Sequence, residues 1–255
     1  MWLGLEAWQL LVVTSIIGAS AALQATVGFG FALFAVPLLV WTGLDVPAAV
    51  TIVTVSMAIQ VANGLRRLGA TLNYREQISN VVVTLLGILV GVALLRLLAA
   101  QFPRVLEQGA GVLILAALLA RLLLRPTPVA KVAAGWTGAA MLASGVLSGV
   151  IGMGGPPVVF WAFAHDWSGD RIRATIWLLL LPRTPLLLGA LYLAFGHPIG
   201  TAMLLGLFVA PVAWLGSTTG LWLGAKVETE RLRLLATALL AVTGASAILR
   251  PILGI

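Results

Sequence analysis

Long apolar runs alternate with short polar stretches along the whole chain. Six runs have the length of one bilayer crossing, about 20 residues: 46–65, 78–98, 106–124, 174–195, 199–223 and 233–250. Two others, 8–44 and 132–165, are too long for one straight helix. Gly28-Phe29-Gly30, with Pro37 beyond it, interrupts the first, and Gly152-Met153-Gly154-Gly155-Pro156-Pro157 interrupts the second. Glycine loosens a helix and proline removes a donor and clashes within one. Each stretch therefore divides into arms of about 16 residues, short for full crossings at a rise of ~1.5 Å per residue. The pattern predicts two hairpins of partial helices that meet deep in the membrane, where every freed backbone group needs a partner.

The punctuation recurs at an offset of 124 residues, which sets Ser20 on Ser144, Gly28 on Gly152, Gly30 on Gly154 and Thr51 on Thr175. The expected organisation is a first repeat over 1–124, a cytoplasmic linker over 125–131 and a second repeat over 132–255. Each repeat is one broken, re-entrant hairpin followed by three spans. An odd number of full spans makes the halves antiparallel, so the expected fold is an all-α polytopic membrane protein built from two inverted repeats.

Composition agrees: 61% of residues are hydrophobic, 9% are charged and mean hydropathy is +1.10. The net charge of +7 does not point to nucleic acid, because the cations sit between spans, as in cytoplasmic loops. Arg66, Arg67 and Arg75, then Arg121, Arg125 and Lys131, then Lys226, Arg231 and Arg233 fall on one side if 132–165 crosses an even number of times. Arg96 and Arg104 are the exception. Both termini are then expected outside the cytoplasm. There is no cysteine, hence no disulfide or thiolate chemistry. No Asp or Glu lies inside a span, which disfavours a carboxylate proton relay. His165 and His197 fall at span ends and read as interfacial, and no metal or cofactor motif is present.

Candidate chemistry gathers at the interruptions. Pro156 and Pro157 suit the first turn of a helix starting at the break, and the backbone at Gly152, Gly154 and Gly155 can open an anion site there. Close packing through small residues is the competing explanation. In the first interruption Gly28 and Gly30 are the counterparts, and Gln24, one turn earlier, can bond a ligand or the broken backbone. Arg183 is the one cation well inside a span, between Pro182 and Pro185. It can bind substrate, bind the carbonyls that those prolines free, or snorkel to the interface. Ser56, Gln60 and Asn63 share a helical face that either lines the site or joins helices. Trp161 and Trp177 are candidates for a pocket wall. A bulky residue at Gly154 is expected to abolish transport and leave assembly largely intact.

Gln24-Ala25-Thr26-Val27-Gly28-Phe29-Gly30 with Pro37, and Ser148 through Pro157, resemble the paired signatures of the TauE/SafE sulfite exporter family. The resemblance spans nearly the whole chain. It implies an inner-membrane permease that exports sulfite, organosulfonates or related organic anions, with the two glycine motifs flanking the transport site. The expected function is thus an alternating-access anion exporter and not an enzyme, with an anion channel or a non-transporting scaffold as alternatives. The substrate-site residues are Gln24, Gly28, Gly30, Gln60, Gly152, Gly154, Gly155, Pro156 and Arg183. Expected partners are a small anion and the lipid bilayer, with a homo-oligomer left open.

Overall fold

The computed structural model describes residues 6–27, 30–68, 74–102, 129–130 and 132–224, with isolated positions within 108–119 and 238–245. Gly28, the side chains of Asn63 and Arg67, Arg104, most of the linker, Lys226, Arg231, Arg233, about half of the span 106–124 and most of the span 233–250 lie outside the described residues.

The described elements run α1 (Ala7–Val27), α2 (Phe31–Trp41), α3 (Val46–Leu68), α4 (Tyr74–Gln101), α5 (Ala134–Ile151), α6 (Gly155–Phe163), α7 (Gly169–Leu180), α8 (Arg183–Phe195) and α9 (His197–Gly224). Local chemistry sets the boundaries. Gly152 ends α5 at φ 72°, a left-handed cap in which its N–H bonds Ser148 O at 3.0 Å. Gly30, at φ 107°, precedes α2. Asp45 Oδ1 accepts the Ala48 N–H at 2.7 Å to start α3, and Ser168 Oγ accepts the Arg171 N–H at 3.3 Å to start α7. Pro182 stands between α7 and α8.

Two expectations are corrected. The hairpin arms are unequal: 21 and 11 residues for α1 and α2, 18 and 9 for α5 and α6. The left-handed glycines sit late in each run, so the first arm grows to crossing length before the chain breaks. The run 174–195 is also not one rod. It is interrupted at Leu181-Pro182, between α7 and α8, within one candidate span, Ala174–Phe195. That segment, α1, α4, α5 and α9 are the described helices long and apolar enough to cross a membrane.

The two halves exchange partners. α4 lies along α5, and α9 lies along α1. Small residues bring the backbones together, as expected where lipid offers no hydrophobic drive between helices. A Cβ on Gly87 would lie 2.6 Å from Leu142 O, and one on Gly149 2.6 Å from Ile88 O. Gly91 abuts Val146 O, Gly145 abuts Thr84 O, and on α9 Gly216 and Gly220 abut the Gly18 and Ala22 carbonyls of α1. Gly149 therefore serves packing, whereas Gly152 through Gly155 form the break. Replacing Gly91 with valine should cost roughly 1–3 kcal/mol or more by overpacking. Thermal unfolding in detergent should show a clear loss for Gly91→Val and none for Gly189→Ala, whose added Cβ meets nothing within 4 Å.

Hydroxyls inside the bundle return bonds to their own helices, as Thr51 does to Pro47 O and Thr84 to Asn80 O, each at 2.8 Å. Leu97 and Leu193 are 60% and 85% exposed, on faces that a bilayer covers.

The chain entering the second hairpin meets the chain leaving it. Val129 N–H bonds Ala164 O at 2.9 Å, and Asp166 N–H bonds Val129 O at 3.0 Å. Nearby, Glu76 pairs with Arg171 at 3.5 Å, joining the starts of α4 and α7. His165 is buried and stacks on Trp167 at 4.0 Å, with its Nδ1–H to Trp161 O at 2.9 Å. Burial, then the Arg171 charge, holds its pKa below the usual histidine value against the raising effect of the carbonyl bond. His165 lies just beyond the end of α6, between Trp161 and Trp167, and His197, at the start of α9, is exposed.

Candidate functional site

A cavity of about 40 Å³ lies where α2 and α6 begin. A single water needs roughly 10–15 Å³ of such space. Gly30, Phe31, Ala32 and Leu33 line it from α2, and Gly152, Met153, Gly155 and Pro156 line it from the second break. Gln24 reaches it from α1, Met57 from α3, and Arg183 from the first position of α8. Two short helices thus present their N-termini to one space, together with the span's own cation.

Arg183 is 4% exposed. Its guanidinium carries five N–H donors. Nη1 bonds Ser148 Oγ at 2.7 Å, and no other acceptor or acidic partner meets the group among the described residues. Ser148 Oγ in turn donates to Ser144 O at 2.6 Å, and Ser144 Oγ donates to Gly154 O at 2.6 Å. This relay fastens Arg183 to α5 and holds the break closed behind the cavity. The carbonyls freed by the prolines are not its partners, and it does not snorkel. Gly154 supports the wall from behind: an added Cβ would run into Ser148 Oγ and Ser144 O. Its φ of −74° is ordinary, so space and not backbone strain demands glycine.

The backbone donors differ between the two breaks. In α6, Pro156 and Pro157 occupy positions whose N–H groups would otherwise be free, leaving Gly155 as the donor of that turn. In α2 the first bond back is Phe34 N–H to Gly30 O at 3.1 Å, so the N–H groups of Phe31, Ala32 and Leu33 have no partner among the described residues. The first break, less marked in sequence, therefore leaves more backbone N–H groups without a partner among the described residues than the second.

Gln24 is 7% exposed, and its Oε1 has no hydrogen-bond partner. Gln60 also carries a buried Oε1 without a partner, but lies off the cavity wall. Ser56, on the same face, bonds Ile52 O at 2.8 Å and Gly206 O of α9 at 3.2 Å, and so joins helices. Trp161 and Trp177 do not wall the cavity; Trp161 Nε1 donates to Thr137 Oγ1 at 2.9 Å.

The sulfite exporter TauE/SafE family matches residues 12–247, nearly the whole chain. The chain belongs to the TauE/SafE family. Membership makes it a multi-pass membrane protein of a family of sulfite and related anion exporters. No curated protein and no solved structure matches it. In this TauE/SafE chain, Ser148 is the hydrogen-bond partner of Arg183, a pairing that motif reading does not single out. Its signal was available: Ser144 and Ser148 are four apart on one helical face, and Ser20 and Gln24 repeat that spacing 124 residues earlier.

Proposed function

We propose that the chain exports small organic or sulfur-containing anions by alternating access, with substrate held between α2, α6 and Arg183. The observation that carries this reading is Arg183 itself, a cation buried in mid-span, without an acidic partner, opening on a cavity. A buried charge left unpaired is costly, and a bound anion removes that cost. The α2 donors and the positive ends of two helices add to the same attraction. Gly152, Gly155 and Pro156 shape the wall, and Gly154 fixes Arg183 through Ser148. Gln24 turns its amide toward the anion. An inside-negative potential drives anion efflux by ~2.3 kcal/mol per elementary charge per 100 mV.

The inverted-repeat arrangement, with units 1–124 and 132–255, belongs to the same proposal. It is supported by the exchange of partners, α4 with α5 and α9 with α1, and by α2 and α6 beginning at Phe31 and Gly155. The bond between Val129 and Ala164 supports an even number of crossings in the second hairpin, which sets the linker and the Tyr74 end on one, cytoplasmic side. Both termini then lie outside the cytoplasm of an inner membrane.

Reconstituted protein should release labelled methanesulfonate or sulfite from liposomes, with saturation and with acceleration by counter-anion outside. Flux without saturation or exchange would make the protein a channel, and absence of flux would make it a scaffold.

A further inference from the structure

The wall of the cavity carries one full charge, that of Arg183, among the described residues. Most of the remaining side chains are apolar: Phe31, Met57, Met153, Val159, Ile176 and Leu180. We infer that the site selects singly charged anions over doubly charged ones of the same size, so that sulfite is taken as hydrogensulfite and sulfonates are taken in preference to sulfate. This inference rests on the anion-site reading above.

Attraction to fixed positive groups grows in proportion to the charge of the solute. The cost of stripping water from an ion grows as its square. An apolar cavity with one guanidinium therefore favours the monoanion, because the second charge adds more desolvation than attraction. The helix ends do not reverse the balance. Pro156 and Pro157 remove two donors from the α6 terminus, and the α2 terminus contributes partial charge only. The other polar side chain on the wall, Gln24, is neutral and has an unpartnered Oε1; turned over, its amide offers N–H to one more oxygen. A monoanion with one small apolar substituent satisfies both surfaces, oxygens toward Arg183 and the α2 donors, substituent toward Met57 and Ile176.

The test uses purified full-length protein and thermal stabilisation by methanesulfonate, sulfate and sulfite. Methanesulfonate should act at a concentration about tenfold or more below that of sulfate. Sulfite should become more potent as pH falls through its second ionisation, in step with the hydrogensulfite fraction, while methanesulfonate stays constant. Equal potency of sulfate and methanesulfonate, or stronger binding of sulfite at higher pH, would overturn the charge preference. Failure of the underlying site looks different: no anion stabilises the wild type, or Arg183→Gln responds to methanesulfonate as the wild type does. Gln24→Arg adds a second cation to the wall and should move the preference toward sulfate by about tenfold. If that variant does not fold, the wild-type pH series decides alone.

Discussion

Arg183→Gln loses anion binding while the protein itself becomes no less stable. The guanidinium is 4% exposed and has one neutral hydrogen-bond partner. In the empty protein it is therefore a desolvated charge with little in return, and removing such a charge is neutral or stabilising. Ser148 keeps its bond to Ser144 O at 2.6 Å after the substitution, so the relay behind the cavity survives. Binding behaves oppositely. Loss of a buried, hydrogen-bonded partner to a charge costs about 2–5 kcal/mol, or roughly 30-fold to several-thousand-fold in affinity. The two signs together are diagnostic. Melting curves should show Arg183→Gln at or above the wild-type midpoint without ligand, and unmoved by methanesulfonate. Arg183→Lys keeps the charge but not the paired donors and should fall between the two. A lower midpoint combined with an intact anion response would make Arg183 a structural residue bound to Ser148.

Arg183 was legible from sequence because a cation with no carboxylate in any span needs no tertiary information to stand out. Its partner was not. Ser148 lies 35 residues away and looks like one more small polar residue in a helix. The breaks were legible for the same reason as Arg183: Gly30 and the Gly152–Pro157 cluster have no place inside a regular helix. Their consequences needed the structure. The arms are unequal because apolar sequence is equally compatible with any helix length up to the first glycine that turns left-handed. Pro182 and Pro185 marked a disturbance in this segment, but its mean hydropathy from Ala174 to Phe195 is that of one span, so the sequence did not separate α7 from α8. Gly87, Gly91, Gly145 and Gly149 show the spacing of a close helix contact, yet spacing does not say that α4 and α5 are the pair. The prolines after Gly155 mark the helix start correctly, and they leave fewer backbone N–H groups at α6 than at α2.

Gly154→Ala and Gly155→Ala, adjacent and chemically identical, should fail in different ways. A methyl group on Gly154 would overlap Ser148 Oγ and the Ser144 carbonyl and lie 2.9 Å from Arg183 Nη1. The carbonyl belongs to the body of α5 and cannot rotate away, so the break or the helix must shift. Overpacking of this kind costs about 1–3 kcal/mol, a fall of roughly 2–12 °C in midpoint for a chain of this size. A larger residue at Gly154 therefore does not spare assembly, and folding and function should fall together. A methyl group on Gly155 meets nothing within 4 Å, and Gly155 lines the cavity. Its φ is not in the left-handed region, and alanine is the better helix former, so stability should change by about 0.5 kcal/mol or less. The cost appears in the substrate instead. In a cavity of about 40 Å³ an added methyl takes a sizeable share of the space. Propanesulfonate should then lose far more potency than methanesulfonate in the same thermal assay. If Gly155→Ala binds both anions as the wild type does, the space in front of α6 is not where the substrate sits, even if Arg183 still proves essential.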